Sequence, residues 1–288
     1  MHVVFVDSNM VGLNALATAK RAGHSTTFVA SRRFAAMIGG VGRLRERDLA
    51  DRVIEIESAL DEDELSRTLD AINADEPIDV LLTVLDFCAL PVARCAARLG
   101  LAGTDPTAVA LAKDKAACRG RIASDGIPSV GYAVVADLEA ARLEAVRLGY
   151  PIIAKPNRGA LSLHARRIGS DVELEAYFET LASPAVIPAG VADALSKDVL
   201  LECYVEGPLF SVEVACARGE AAPIMVSARK RCVENPSIEL GTTMPAPVAP
   251  DTARSLTQYA LAVTRSLGLD LGIFHIEIVL GPEGPVLI

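Results

Sequence analysis

Long apolar runs are missing from this sequence. The longest, such as VLLTVL at 80–85, are strand-sized, whereas about twenty apolar residues are needed to span a bilayer. A charged-then-apolar leader is missing too, because Asp7 interrupts the first apolar run, so no signal segment is expected and the cytoplasm is the expected compartment. Paired cysteines are absent. The six present (88, 95, 118, 203, 216 and 232) show no metal-ligand spacing and stand mostly in apolar surroundings. They read as small buried thiols of a reducing cytosol in preference to disulfides or zinc ligands. Positive charge is in deficit: 28 Lys and Arg against 37 Asp and Glu leave a net −9. That balance disfavours nucleic acid or an anionic membrane as the main partner. A nucleotide can still be held locally by a few lysines or a magnesium ion. There is no internal repeat and no low-complexity segment.

What is present describes a globular chain of 288 residues, 51% hydrophobic and 23% charged, able to bury a sizeable core. HVVFVDS (2–8), STTFVA (25–30), DRVIEIE (51–57) and DVLLTVLD (79–86) read as strands alternating with helices at 14–23, 61–74 and 90–100. That alternation predicts a parallel sheet covered on both faces, so residues 1–103 form a Rossmann-like α/β domain. The first turn, DSNMVGLN, holds one glycine where a dinucleotide fingerprint needs three, which argues against a dinucleotide site. Residues 105–126 read as one helix, 127–135 as a strand and 137–149 as an amphipathic helix. YPIIAKPNRG (150–159) is an apolar strand carrying one lysine. Such a lysine is costly unless an anion pairs with it; a place at a sheet edge is the plainer alternative. An Ala- and Pro-containing stretch follows at 182–194. DVLLECYVEGPLFSVEVACARG (198–219) is strand, hinge and strand, and 222–231 is another strand.

Four segments in this order, KDKAACR…GIPSVGY, LGYPIIAKP, LLECYVEGPLFSVEV and LGLDLGIFHIEIVL, resemble the ATP-grasp superfamily. The resemblance implies a Rossmann-like first domain (1–103) followed by two α+β lobes (104–196 and 197–288) that hold ATP between them. It also implies activation of a carboxylate as an acylphosphate, then attack by an amine. Lys115 and Lys155 look like the lysines that reach the phosphates, Glu202, Cys203 and Val205 like the readers of the adenine edge. For Glu202 an exposed strand-end charge is the alternative. Leu209 stands where an acidic ribose partner is usual, which leaves ribose to a neighbour such as Glu206 or Glu213. The phosphate loop NRGALSLHARR (157–167) has one glycine and one serine, Ser162, so it would lean on Arg158, His164, Arg166 or Arg167.

The stretch ARKRCVENPSIELGTTMPAPV (228–248) is similar to that of L-amino-acid ligases and related carboxylate–amine ligases. The resemblance places Glu239 and Gly241 in the substrate pocket and Lys230 or Arg231 at the reacting carboxylate. A solvated basic turn is the alternative. His275 and Glu277 lie two apart on a strand and project from one face. Glu277 matches the first Mg2+ ligand of the superfamily, and His275 is assigned to the substrate. The remaining metal ligands of the pattern would follow Ile288, so a truncated or incomplete form of a longer ligase is expected. The expected cofactors are ATP and Mg2+, and the expected partners a small carboxylate, an amine and a second copy of the chain. An amino-acid or dipeptide ligase is the leading reading. A nucleotide-binding module without full catalysis, or a ligase or carboxylase for another carboxylate, is the alternative.

Overall fold

The computed structural model describes residues 1–39, 48–182, 189–217, 219–233 and 236–288. The chain forms two compact units, Met1–Val109 with Val186–Ala194, and Ala110–Ala185 with Leu195–Ile288. Among the described residues, no helix is long and apolar enough to cross a membrane.

The first unit carries strands β1 (His2–Val6), β2 (Ser25–Ser31), β3 (Arg52–Ile56) and β4 (Val80–Leu82), with helices α1 (Leu13–Arg21), α2 (Glu62–Asp75) and α3 (Ala89–Arg98). The sheet is wholly parallel in the order β3-β2-β1-β4. Strand β1 is buried, with no polar side chain interrupting VVFV, and Leu13, Leu16 and Phe28 close the core beneath α1. In the first turn, Asn9 Oδ1 accepts from Gly12 N at 2.8 Å, and Leu13 N donates to Asn9 O. A Cβ at Gly12 would overlap Val84 and Ser8. That glycine serves close packing, and the turn's own residues use its amides.

The helix α4 (Pro106–Lys113) spans the boundary at Val109–Ala110, and α5 (Lys115–Ser124) follows in the second unit. The single helix expected over 105–126 is broken at Asp114, which adopts an extended conformation and accepts from Ala117 N at 3.0 Å. An aspartate that caps the following turn competes with continuation of the helix before it. Next come β5 (Tyr132–Val135), α6 (Leu138–Leu148), β6 (Ile152–Pro156), β7 (Arg166–Ile168) and α7 (Asp171–Ala182); α8 (Ala189–Asp193) belongs to the first unit, and β8 (Val199–Cys203) resumes the second. β5 is shorter than the strand expected at 127–135, and of the stretch 182–194 residues 183–188 lie outside the described residues. The first sheet of this unit is antiparallel, β5-β8-β6-β7, with α6 and α7 packed on Ile152, Ala154, Ile168 and Leu201.

β9 (Leu209–Ala217), β10 (Glu220–Arg231), β11 (Glu239–Thr243), β12 (Gly272–Gly281) and β13 (Gly284–Leu287) form the second sheet, ordered β11-β10-β9-β12-β13 and backed by α9 (Pro250–Ser266). Alternation along β9 and β12 sends Val212, Val214, Ile276 and Ile278 into the core. Leu209, Ser211, Glu213, His275, Glu277 and Val279 fall on the opposite face, as the cross-strand pairs Leu209–Val279, Ser211–Glu277 and Glu213–His275 require. None of the six cysteines is in a disulfide, and four of them are buried.

Candidate functional site

One pocket in the second unit is walled by both antiparallel sheets and gathers most of the chemically loaded side chains. Its cationic side starts at the break between α4 and α5. Asn157, buried at the end of β6, accepts from Ala116 N at 2.9 Å and donates to Asp114 Oδ1 at 3.1 Å. Lys115, the first residue of α5, donates to Gly159 O at 2.9 Å. The helix start and the 157–167 loop are therefore fastened to each other. Burial, together with Lys155, Lys113 and Arg119 nearby, lowers the Lys115 ammonium to about 8.

Lys155 follows from the pattern of β6: Ile152, Ala154 and Pro156 are buried, so Ile153 and Lys155 face the pocket. The anion that such a lysine requires is Glu202, whose Oε2 lies 2.6 Å from Lys155 Nζ. Glu202 Oε1 accepts from Arg119 Nε at 2.9 Å. Burial pushes the Glu202 carboxyl up, but Lys155 and Arg119 outweigh it and hold the carboxyl below its usual value. Burial likewise lowers Lys155, against the pull of Glu202. Glu202 is only 2% exposed, so the exposed strand-end alternative is excluded.

Val130, Ile153, Tyr204, Val205, Leu209 and Val279 give the pocket an apolar end. In the hinge there, Cys203 N donates to Gly131 O and Tyr204 N to Pro151 O, and among the described residues the Val205 amide has no backbone acceptor. Gly207 has φ +158°, and a Cβ on it would overlap Leu280 O. Arg231 donates to Gly207 O and lines the pocket. Neither Glu206 nor Glu213 is in the lining.

Glu239 and Glu277 form the acidic side. Burial pushes the Glu277 carboxyl up, but His275, Arg229 and Glu239 more than offset it, so the group stays below the usual range. His275 Nδ1 is 2.7 Å from Glu213 Oε1, and its Nε2 is 3.2 Å from Arg229 Nη2. The Glu277 and Glu213 carboxylates raise the His275 imidazole, against its burial. Arg229 also donates to Glu239 Oε2 at 2.8 Å, to Thr242 and to Ser211.

Of the residues singled out from sequence, Lys115, Lys155, Ser162, Glu202, Cys203, Val205, Arg231, Glu239 and Glu277 line this pocket. Glu213 and His275 lie beside it on the sheet face. Lys230 is exposed and pairs with Gly241 across β10 and β11, and neither lines the pocket. Residues 234 and 235 of the stretch 228–248 lie outside the described residues. In the 157–167 loop, Leu161, Ser162 and His164 all have positive φ, near 60°, a conformation uncommon outside glycine. Three participants escaped the sequence reading: Arg119, Asn157 and Arg229.

The ATP-grasp domain family matches residues 148–288, and the ATP-grasp N-terminal domain family matches residues 16–103. The chain belongs to the ATP-grasp family. Among sequence relatives, carnosine synthase 1 of Gallus gallus is 29% identical over 241 residues, covering 79% of this chain and 26% of that protein. Alanine–anticapsin ligase of Bacillus amyloliquefaciens is 27% identical over 219 residues, covering 70% of this chain and 45% of the relative. The L-amino acid ligase of Bacillus licheniformis shares the fold, with TM-score 0.80 and 20% identity over 100% of this chain and 65% of the other. The chain thus spans between about a quarter and two thirds of the length of these proteins. Among the described residues, no group of three His, Cys, Asp or Glu side chains is placed to hold a metal alone. The carboxylate of Glu277, which lines the pocket, fits a magnesium ion that arrives on phosphates, since that ion usually takes one or two carboxylates and keeps phosphate and water as its other ligands.

Proposed function

We propose that this ATP-grasp chain serves an ATP-dependent ligase that activates a small carboxylate as an acylphosphate and joins it to an amine. The observation that carries this reading is one pocket holding two lysines on its first sheet and helix side, and two carboxylates on its second sheet. Lys115 and Lys155 bind the phosphates of ATP as point charges on rigid elements. The apolar end takes adenine, with the Val205 amide toward the base edge. Glu277 would hold Mg2+, which when bound neutralises phosphate charge, and Glu239, paired with Arg229, lines the pocket on the substrate side. A carboxylate oxygen attacks the γ-phosphorus and ADP leaves. The amine nitrogen then attacks the acyl carbon, phosphate departs, and the amine proton passes to solvent. Arg231, in preference to Lys230, stands where charge develops on the acylphosphate and its leaving group. The names of the two sequence relatives, a carnosine synthase and an alanine–anticapsin ligase, support an amino acid as one substrate.

The test is incubation of the chain with ATP, Mg2+ and pairs of amino acids. Release of ADP and phosphate that needs both partners supports the ligase. Saturable ATP binding with no release on any pair favours a nucleotide-binding module.

A further inference from the structure

The buried partner of Glu202 has no role in the reading above. Arg119 lies on the inward face of α5, four residues after Lys115, and is 2% exposed. One carboxylate is thereby placed between two cations: Arg119 on Oε1 and Lys155 on Oε2. The cluster carries a net charge of +1. Arg119 Nη2 has no acceptor among the described residues. Such a cluster is a poor stabiliser, because burying ions costs more than pairing returns unless every donor is matched, and an apolar replacement often folds as well. What Arg119 does alter is the charge behind Lys155.

We infer that Arg119 is a positioning residue for the nucleotide phosphates, acting through Glu202. Alone, Glu202 and Lys155 would cancel, and a carboxylate with both oxygens free would draw the ammonium back from the pocket. With Arg119 on one oxygen, the charge of Glu202 is already offset and that of Lys155 is left for the pocket. Together with Lys115, the wall then presents two net positive charges to a polyanion. This inference rests on the nucleotide reading of the pocket.

The experiment measures binding of AMP, ADP and a non-hydrolysable ATP analogue to the full chain and to Arg119→Met, by calorimetry at low salt. Loss of one buried charge behind Lys155 should weaken the triphosphate about tenfold, ADP less, and AMP hardly at all. Arg119→Lys, which keeps the charge, should stay within about threefold of the wild type for all three ligands. The double variant Arg119→Met/Glu202→Gln restores the net charge and should recover triphosphate binding. An equal loss for all three nucleotides, or no recovery in the double variant, overturns the inference. If Arg119→Met fails to fold, the comparison is made on the double variant and on Arg119→Lys, where the net charge is kept. A graded loss in either one is then the overturning result. Failure of the wild type to bind any of the three would refute the nucleotide reading itself, and this inference with it.

Discussion

Raising the pH should release nucleotide by discharging Lys115. In the free chain, burial and the neighbouring cations Lys155, Lys113 and Arg119 bring this ammonium from 10.5 down to about 8. A bound polyphosphate reverses the balance, because it supplies the anion the site lacks and raises the group again. At pH 7 Lys115 is therefore roughly nine-tenths charged and nucleotide binding takes up almost no proton. At pH 9 it is roughly one-tenth charged, and each binding event must take up close to one proton. Above pH 8, affinity should fall about tenfold per pH unit, or about 1.4 kcal/mol, until the pKa of the bound state is reached. The free chain behaves in the opposite sense. Its lowered Lys115 disfavours the folded state at neutral pH, and stability rises as the pH passes from about 8 toward 10.5. Calorimetry with a non-hydrolysable ATP analogue in two buffers of different ionisation enthalpy reads the proton count directly. A flat affinity from pH 7 to 9 with no proton uptake would refute the reasoning, and Lys115→Met should abolish the uptake.

Three further outcomes follow from the same geometry. Lys155→Met removes a charge-assisted contact of roughly 1.5–3 kcal/mol, so ATP affinity should drop about tenfold or more; unchanged affinity in a titration would sink the assignment. Asp114→Ala removes the α5 cap and an Asn157 partner, and should cost about 1 kcal/mol of stability, read as a lower urea midpoint, with weaker nucleotide binding through Lys115. Gly207→Ala drives a methyl group into Leu280 O; thermal melting and nucleotide titration should both fall, whereas a variant equal to wild type would contradict the close packing of the hinge.

Much of the site was legible because its residues break local rules. Lys155 stands out in an apolar strand since its ammonium demands a buried anion. His275 and Glu277 share a face by the period of a strand. The parallel first sheet follows from alternating strands and helices. What stayed hidden depends on long-range pairing. Arg119 meets Glu202 across 83 positions, and no helical pattern announces which arginine turns inward. Arg229 was passed over beside Lys230 and Arg231, because which of three adjacent basic residues faces the site depends on the register of β10, including its irregularity between Lys230 and Arg231. The helix break at Asp114 did carry a signal, an aspartate three residues before the amide it caps, which the continuous apolar pattern concealed. The positive φ angles of Leu161, Ser162 and His164 carry none, since no glycine marks them.

The claim that the pocket activates a carboxylate as an acylphosphate is tested most directly by following oxygen. The chain is incubated with ATP, Mg2+, an amine and an amino acid whose carboxylate carries 18O, and the released phosphate is weighed by mass spectrometry. The account predicts one 18O atom in each phosphate formed together with the condensed product. Product accompanied by unlabelled phosphate would contradict it.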